Sequence, residues 1–232
     1  MSRPPLLIAC DFDGTVTQND VTNFLLATLA DSRWRQIEAA WEAGLISSRE
    51  CMVQQIPLIR GGWGAIEAQL AQVELDPTFP AFAFWCKEQR VPLWIVSDGL
   101  DRVISTVFAR AHVTVDRVWA NHLEESSLGE LSISFPHSSV DGACCAGLCK
   151  CQVIGHGAAE ALRVVIGDGR SDWCWAAHAD VVFAKSQLLT HCRAQGVPCA
   201  KFSDFNEIQQ ALTLMWDRPE YVVRSNARGG DV

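Results

Sequence analysis

The 232-residue sequence has no long hydrophobic run, no internal repeat and no segment of low complexity. Its first apolar stretch, LLIAC at positions 6–10, gives way to acids after five residues and is too short to span a membrane. The amino terminus also lacks a signal-peptide pattern, so we expect a cytoplasmic protein that does not bind a membrane. Positive charge is scarce: 19 lysines and arginines face 27 acids, a net charge of −8, which disfavours binding to nucleic acid.

Hydrophobic residues make up 49% of the chain and charged residues 20%, an ordinary composition for a globular protein. At this length we expect one domain with a substantial insertion, or two domains. Ten cysteines could indicate disulfides in a small secreted domain, but the chain length and the missing signal favour reduced thiols.

The apolar stretch at positions 6–10 is typical of a buried parallel strand, and two acids, Asp11 and Asp13, follow it at once. Gly14 then allows the backbone to turn sharply. Acids at the carboxyl end of such a strand lie where α/β sheets bind ligands, and one can attack while the other transfers a proton. A solvated turn is one alternative. A calcium loop is another, but its twelfth position would be Thr22 instead of glutamate.

The segment after these acids is predicted to be almost entirely helical. Helices are expected at residues 22–30, 34–43, 63–73 and 78–89, with a further helix starting at Ser47 or Ser48. Asp20 and Ser32 are predicted to cap the first two helices. Glu50 is predicted to complete a capping box in the helix that starts near Ser47.

A helical block between two strands predicts a cap domain inserted into an α/β core. The predicted cap covers residues 19–89, and the predicted core covers residues 1–18 and 90–232. The alternative is that these helices simply cover the sheet, but their number before the next strand favours a cap.

Strands are predicted again after this block, at residues 91–96, 117–122, 131–135, 163–166, 181–184 and 199–202. Helices are expected between and after them, at residues 101–111, in a segment ending near 162, at 187–195 and at 205–216 after the capping residue Asp204. Strands that alternate with helices predict an α/β fold with a Rossmann-like, doubly wound parallel sheet.

Three of the predicted strands end in polar residues. Asp11 and Asp13 follow the first strand, Ser97 follows the second, and Asp168 and Asp172 follow the strand at 163–166. Because the carboxyl ends of parallel strands meet at one edge of the sheet, we expect these side chains to form a single site.

Asp11 and Asp168 are predicted to share a hard divalent cation, Mg²⁺, which prefers oxygen ligands. A phosphoryl group activated by Mg²⁺ is an electrophile that an aspartate can attack, and the product is an aspartyl-phosphate. The Ser97 hydroxyl can donate a hydrogen bond to a phosphate oxygen. Lys150, between a cysteine-rich loop and a helix, is the candidate for neutralising the phosphoryl charge.

In order along the chain, DFDGT at 11–15, Ser97, Lys150 and GDGRSD at 167–172 resemble the four motifs of the haloacid dehalogenase superfamily. The resemblance covers nearly the whole chain. It implies a Rossmann-like core with an inserted helical cap and the activity of a Mg²⁺-dependent phosphatase.

The resemblance also implies a role for each motif residue. Asp11 would be the nucleophile, and Asp13 would protonate the leaving group and later activate water. Asp11, Asp168 and the backbone carbonyl of Asp13 would bind Mg²⁺. Asp172 would support this metal site or pair with Lys150, and we count it among the metal-binding residues. The catalytic set is therefore Asp11, Asp13, Ser97 and Lys150.

The helical insertion resembles the cap of the phosphoserine phosphatase-like branch. The segments DFDGTVTQND and FPHSSVDGACCAGLCK resemble the methionine-salvage phosphatases of 2-hydroxy-3-keto-5-methylthiopentenyl 1-phosphate, which we rank first. SDG and GDGRSDWC resemble phosphocholine/phosphoethanolamine and pyridoxal-phosphate phosphatases. Asp20 and Asp98 depart from the glutamate and glycine usual in phosphoserine phosphatases.

A catalytically inactive relative that binds a ligand or a partner is the other class of function. Such relatives usually lose the nucleophile, the proton-transfer acid or the metal ligand. Asp11, Asp13 and Asp168 fill all three positions, so an enzyme is favoured.

Substrate contacts are expected from Ser97, Asp98, Gly99, Lys150 and Asp20. Asp20 and Asp98 would make the entrance of the site acidic, which suits a neutral or cationic leaving group. We therefore expect a small phosphorylated metabolite as the partner. The sequence leaves a monomer and a homodimer as alternatives.

The cysteine-rich loop at residues 137–151 could bind zinc or form a disulfide. Its candidate ligands are His137, Cys144, Cys145, Cys149 and Cys151, but their spacing matches no standard zinc finger or knuckle. A reduced loop that positions Lys150 is the favoured interpretation.

Overall fold

The computed structural model describes residues 5–139, 144, 146–156 and 160–217, and the end of the predicted core after 217 lies outside these ranges. The described strands are β1 (Leu6–Cys10), β2 (Leu93–Leu100), β3 (Arg117–Glu125), β4 (Leu131–Ser134), β5 (Leu162–Gly167), β6 (Val181–Ala184) and β7 (Ala200–Lys201). They form a seven-stranded sheet in the order β4-β3-β2-β1-β5-β6-β7.

The strand β1 lies in the middle of the sheet and is buried along its whole length. It pairs in parallel with β2 on one side and with β5 on the other, with Ile8 opposite Leu93 and Val164. Only the hairpin of β3 and β4 is antiparallel among the described pairs. The predicted α/β fold with a doubly wound, mostly parallel sheet is confirmed.

The described α-helices are α1 (Val21–Leu29), α2 (Trp34–Glu42), α3 (Ser48–Gln55), α4 (Gly62–Gln69), α5 (Phe79–Glu88), α6 (Asp101–Arg110), α7 (Lys150–Gly155), α8 (Trp173–Ala176), α9 (Ser186–Gln195) and α10 (Phe205–Asp217). None of the helices within the described ranges combines the length and the apolar character needed to cross a membrane.

The two faces of the sheet are covered by different helices. On one face, Phe79 of α5 stacks on Phe108 of α6 and packs edge-on against Phe205 of α10, within the core that includes β1 and β2. On the other face, Val153 of α7 and Trp175 of α8 pack against the central strands. Coverage of both faces explains why the central strands are almost wholly apolar.

The helices α1 to α4 follow β1 in the chain, in the segment that leaves the sheet after β1 and later returns to it. An antiparallel bridge between Thr17 and Leu75 joins the outgoing and returning chains. The amide of Gln18 donates to the carbonyl of Glu74, and the amide of Asp76 donates to that of Val16. The two connections therefore leave the core side by side.

The start of α3 was correctly predicted. The Ser47 hydroxyl accepts a hydrogen bond from the amide of Glu50, whose carboxylate accepts one from the amide of Ser47. The predicted cap of α2 is wrong: Arg33, not Ser32, occupies the capping position, and no side chain caps this end. The Ser32 backbone carbonyl instead accepts a hydrogen bond from the amide of Arg35. The chain therefore already turns at Ser32, and the Ser32 side chain does not cap the helix.

Three other predictions needed correction. The strand β2 continues through Ser97 and Gly99 to Leu100, which pairs with Asn121 beyond an irregularity in the register. The helix α7 ends at Gly155 and not near residue 162, because Leu162 is already the first residue of β5 and pairs with β1. The short helix α8 was not predicted.

Candidate active site

The carboxyl ends of β1, β2 and β5 meet at a cavity of about 550 Å³. The loops after these strands form its floor, and α1, α2 and α3 form the wall opposite. Most of the predicted site residues line this cavity: Asp11, Asp13, Asp20, Ser97, Asp98, Gly99 and Asp168. The structure therefore brings the three predicted polar clusters together.

Lys150, the first residue of α7, contacts Asp11 but, like Asp172, is not among the residues that line the cavity. Its Nζ lies 2.6 Å from Asp11 Oδ1 and 2.7 Å from Asp172 Oδ1, and all three side chains are buried. The ammonium group also lies 4.8 Å from the centre of the Trp175 ring. Burial alone would lower the pKa of Lys150, but Asp11 and Asp172 raise it above its usual value, so the lysine is charged.

Asp172 holds the loop after β5 as well as Lys150. Its Oδ2 accepts hydrogen bonds of 3.0 Å from the amides of Asp168 and Gly169. A side chain at Gly167 would collide with this carboxylate. Both oxygens of Asp172 thus already have protein partners.

The remaining acids of the floor are poorly compensated. Burial, followed by the charge of Asp172, raises the pKa of Asp11 and that of Asp168. The Thr15 hydroxyl donates to Asp168 Oδ1 at 3.0 Å and fixes this carboxylate toward Asp11. Lys150 contacts two of these three acids, Asp11 and Asp172, so one ammonium cannot balance all three carboxylates when they are ionised.

These acids fit a hard divalent cation. Asp11, Asp168 and Asp172 place carboxylate oxygens within 4.8 Å of one another, and no other group of three metal-ligating side chains is found among the described residues. Oxygen donors are what Mg²⁺ prefers, and its charge would offset the excess of negative charge. A divalent cation site is thus compatible with both the donor set and the electrostatics.

Asp13 lies beside the N-terminus of α1. Its Oδ1 accepts a hydrogen bond of 2.8 Å from the amide of Val21, which fixes the carboxyl group at the start of that helix. Burial raises the pKa of Asp13 to about 8, and the charge of Asp20 adds to the effect.

Ser97 and Gly99 shape the floor opposite Asp13. The amide of Gly99 donates to Ser97 Oγ at 2.9 Å, so the hydroxyl keeps its own proton for another acceptor. A Cβ atom at Gly99 would lie 2.8 Å from Asp13 Oδ2 and 3.0 Å from Ser97 Oγ. Position 99 therefore has no room for a side chain.

Asp98 connects β2 to the loop that carries Lys150. Its Oδ1 accepts a hydrogen bond of 2.9 Å from the amide of Leu148. The Asn121 side-chain amide donates to the Asp98 carbonyl at 2.6 Å. These contacts anchor the segment that ends at Lys150.

Asp20 both caps a helix and lines the cavity. Its Oδ1 accepts from the amide of Asn23 at 2.7 Å, which confirms the predicted cap of α1. Burial raises the pKa of Asp20, and Glu38 on α2 raises it further.

Several contacts at the cavity wall were not predicted from the sequence. Glu38 accepts a hydrogen bond of 2.7 Å from Gln55 Nε2, which joins α2 to α3 at the cavity wall. Arg170 Nη1 donates to the backbone carbonyl of Glu42 at 3.3 Å, and its guanidinium stacks near Trp41. No local sequence pattern marks Glu38 or Gln55. Arg170 belongs to the GDGRSD segment, where either a phosphate contact or a surface position was expected, but its contact with α2 joins segments far apart in the chain.

The cysteine-rich loop is only partly described, and Cys145 lies outside the described residues. Cys144 is half-buried, and burial raises the pKa of its thiol to about 11. His137 packs edge-on against Trp119 at 4.8 Å, and burial lowers its pKa. The described cysteines and His137 do not form a group of three converging ligands.

Two relatives match nearly the whole of this chain. A 2-hydroxy-3-keto-5-methylthiopentenyl-1-phosphate phosphatase of Geobacillus kaustophilus (strain HTA426) is 31% identical over 217 residues, which cover 90% of this chain and 96% of the relative. The phosphatase of the same name from Bacillus velezensis (strain DSM 23117 / BGSC 10A6 / LMG 26770 / FZB42) is 27% identical, with coverages of 98% and 97%.

A solved structure of similar fold is the unliganded probable phosphoserine phosphatase of Vibrio cholerae. Its TM-score is 0.71 at 14% identity, and the match covers 97% of this chain and 67% of that one. The family model of haloacid dehalogenase-like hydrolases matches residues 8–177, a range that contains the carboxyl ends of β1, β2 and β5, where the site lies. The chain belongs to the haloacid dehalogenase-like hydrolase family.

Proposed function

We propose that this phosphatase hydrolyses 2-hydroxy-3-keto-5-methylthiopentenyl 1-phosphate through an aspartyl-phosphate on Asp11. The substrate follows from the names of relatives that match nearly the whole chain. The observation that carries the chemistry is the buried Lys150 ammonium between Asp11 and Asp172. It fixes a carboxylate at the cavity floor and supplies positive charge where an anionic phosphoryl group would lie.

In the first half-reaction, a carboxylate oxygen of Asp11 forms a bond to phosphorus while the bond from phosphorus to the leaving oxygen breaks. Asp13 gives its proton to that leaving oxygen. Its position beside Asp11, and its anchoring by the amide of Val21, suit it to this transfer. The Ser97 hydroxyl, whose oxygen already accepts from Gly99, donates its proton in a hydrogen bond to a phosphoryl oxygen.

In the second half-reaction, a water molecule attacks the phosphorus of the aspartyl-phosphate. The Asp13 carboxylate takes a proton from this water. The bond between phosphorus and the Asp11 oxygen then breaks, which restores Asp11 and releases inorganic phosphate. Lys150 holds Asp11 in place throughout.

Asp11 and Asp168, with the backbone carbonyl of Asp13, would hold Mg²⁺. When bound, Mg²⁺ would offset the charge of the phosphoryl oxygens and of the acids around them. Asp172 would keep Lys150 and the loop that carries Asp168 in position, since its own oxygens already accept three hydrogen bonds.

The helices α1 to α4 would act as the cap that closes over the cavity. Three of them form its wall, and the paired connections at Thr17 and Leu75 give them a common hinge. The sequence placed the end of the cap at residue 89. Because Phe79 of α5 packs against Phe205 of the core, we propose that the cap ends at the bridge instead.

The cap wall offers both polar and apolar contacts to a leaving group. Asp20 and Glu38 can accept hydrogen bonds from a hydroxyl group, and Gln55 holds Glu38 in place. Trp41 and Met52 give an apolar surface of the kind that a methylthio end requires. This combination supports the substrate named above.

Phosphocholine or phosphoethanolamine is the second candidate. The same two acids, Asp20 and Glu38, would attract a cationic leaving group. Burial raises the pKa of Asp20, and a bound cation would lower that pKa again. Phosphoserine suits the cavity less well because its leaving group carries a further carboxylate.

The test is a comparison of kcat/KM for these phosphoesters and pyridoxal phosphate, with Asp20→Asn measured beside the parent. Asparagine also caps helices, so the variant removes charge while keeping the cap. We expect kcat/KM for the methylthiopentenyl substrate to be the highest of the panel and to fall roughly 5-fold in Asp20→Asn, the difference between a charged and a neutral hydrogen bond.

Asp204→Asn is the matched control, since Asp204 caps α10 outside the cavity. It should leave every kcat/KM value unchanged. A preference for a polyanionic substrate, or an Asp20→Asn variant indistinguishable from Asp204→Asn, would contradict the role assigned to Asp20 in contacting the leaving group.

A further inference from the structure

The strand β2 departs from regular pairing where it reaches the site. Its register with β3 shifts between Val96 and Leu100, so residues 97–99 of β2 lie opposite Ala120 alone. Such a bulge disrupts the ladder of backbone hydrogen bonds and redirects the side chains that it carries. All three residues of this β2 bulge line the cavity: Ser97, Asp98 and Gly99.

Asn121 holds the β2 bulge from the neighbouring strand. Its backbone pairs with Leu100, directly after the bulge. Its side-chain Nδ2 donates a hydrogen bond of 2.6 Å to the carbonyl of Asp98, the middle residue of the bulge. Asn121 is completely buried and is not among the residues that line the cavity. It can therefore act on a substrate only through its neighbours.

The acceptors around the Asn121 amide determine its orientation. Besides the Asp98 carbonyl, Nδ2 lies 3.6 Å from the sulfur of Met52 on α3, which is a weak acceptor. Within the described part of the chain, Asn121 Oδ1 has no hydrogen-bond partner. The opposite orientation of the amide would place Oδ1 against the Asp98 carbonyl oxygen, where two acceptors repel each other. The nitrogen is therefore the end that faces the bulge.

The hydrogen bond from Asn121 restrains a single peptide group that also contacts Ser97. The carbonyl of Asp98 and the amide of Gly99 belong to the same planar peptide unit. Asn121 donates to the oxygen of this unit, and its N–H donates to Ser97 Oγ at 2.9 Å. The peptide is thus held at both ends. Without the Asn121 bond it could rotate, and the hydrogen bond that orients Ser97 Oγ would weaken.

We propose that Asn121 is a positioning residue of the phosphatase, which directs the Ser97 hydroxyl toward the phosphoryl group by holding the peptide between Asp98 and Gly99. This inference rests on the role proposed above for Ser97. While Ser97 Oγ accepts from Gly99, its own proton is directed to a second acceptor, the phosphoryl oxygen. Asn121 itself does not touch the substrate.

The test measures phosphate release from p-nitrophenyl phosphate with Mg²⁺, a probe that reports on the phosphoryl site whatever the natural leaving group is. Asn121→Leu keeps a side chain of similar size and removes the donor. We expect kcat to fall about 10- to 100-fold, and no further than in Ser97→Ala, because a hydrogen bond to a charged group is worth about that factor. In the Ser97→Ala background, Asn121→Leu should cost less than about 2-fold, since the two residues act as a unit.

Leu212→Ala is the control for a general loss of stability. Leu212 is completely buried in α10 and does not line the cavity. This variant should lower the midpoint of thermal unfolding, because it leaves a void in the core, and should keep the parental kcat. Asn121→Leu should show the reverse, a smaller change of the midpoint and a larger loss of kcat. A purely structural role for Asn121 would not separate the two readouts.

Hydrogen exchange gives a readout that does not depend on activity. Peptides that cover residues 97–100 should exchange faster in Asn121→Leu than in Leu212→Ala, because the peptide that carries the Gly99 amide is no longer held. Equal exchange of this segment in the two variants would overturn the inference, whatever the activity.

The activity measurements separate this inference from the proposed function. Parental kcat in Asn121→Leu would overturn the inference and leave the proposed function standing, and so would losses that multiply in the double variant with Ser97→Ala. Unchanged kcat in Ser97→Ala would refute the role proposed for Ser97 and this inference with it. If Asn121→Leu does not fold, Asn121→Thr replaces it, because threonine suits a strand and its hydroxyl ends one bond short of the amide nitrogen.

Discussion

Lys150 Nζ lies 2.7 Å from Asp172 Oδ1, and the two side chains expose 1% and 0% of their surface to solvent. Lys150 contacts Asp11 from the same position, so one ammonium serves two buried carboxylates. Such a group is costly to remove, because both buried carboxylates would lose the cation that they contact.

We therefore predict that Lys150→Met lowers the free energy of unfolding by about 3 to 5 kcal/mol, the usual effect of removing one partner from a buried ion pair. The double variant Lys150→Met/Asp172→Asn should lose less than the sum of the single variants, because it leaves one charge fewer unpaired. Urea denaturation measures both. Lys87→Met, at an exposed position of α5, is the control and should change little. Additive losses in the double variant would refute the coupling.

Gly99→Ala should impair catalysis while the fold is retained. The new methyl group would lie 2.8 Å from Asp13 Oδ2 and 3.0 Å from Ser97 Oγ, so at least one of these oxygens must move. We expect kcat to fall by about 10- to 100-fold, with the circular dichroism spectrum unchanged. Gly155→Ala is the matched control, since a Cβ atom there meets nothing within 4 Å. Equal activity of the two variants would contradict the assigned position of Asp13.

Arg170→Ala should weaken substrate binding more than turnover. Arg170 links the loop after β5 to α2 of the proposed cap through the Glu42 carbonyl, and its guanidinium lies 5.7 Å from the Trp41 ring and 5.9 Å from the Trp173 ring. Loss of these contacts should raise KM up to roughly 10-fold, by the usual worth of one hydrogen bond and exposed cation–π contacts. Arg193→Ala, an exposed arginine of α9, should leave KM unchanged. A fall confined to kcat would argue against this role.

Removal of divalent cations should stop phosphate release. The proposed ligands Asp11 and Asp168 are close together, and the one ammonium that contacts Asp11 is shared with Asp172, so without a metal the ionised acids would repel a phosphate dianion. We expect excess chelator to abolish activity and added Mg²⁺ to restore it, while Ca²⁺ restores less because it favours more ligands at longer distances. Full turnover in chelator would refute the metal requirement.

Much of this architecture could be predicted from the sequence. The strands at 6–10 and 181–184 were predicted at their observed bounds, because short apolar runs bounded by turn residues are typical of buried strands. Asp11, Ser97 and Asp168 were predicted to converge, because parallel strands place their carboxyl ends at one edge. The capping box of Ser47 and Glu50 is likewise a local pattern.

The remaining features depend on contacts between distant segments. The bond from Leu148 to Asp98, the Gln55–Glu38 pair and the reach of Arg170 to α2 have no signal in their own neighbourhoods. Tertiary structure, not propensity, decides these positions. The predicted cap of α2 failed for a local reason: the carbonyls of Asp31 and Ser32 accept hydrogen bonds from the amides of Trp34 and Arg35.

The central claim is that Asp11 carries the phosphoryl group between the two half-reactions. Borohydride added to the enzyme during turnover with Mg²⁺ reduces an aspartyl-phosphate to homoserine, which mass spectrometry of the digested chain locates. We expect homoserine at position 11 of the parent protein, and none in Asp11→Asn, which should keep its fold and lose phosphate release. Full turnover without homoserine at position 11, or near-normal activity in Asp11→Asn, would contradict the account.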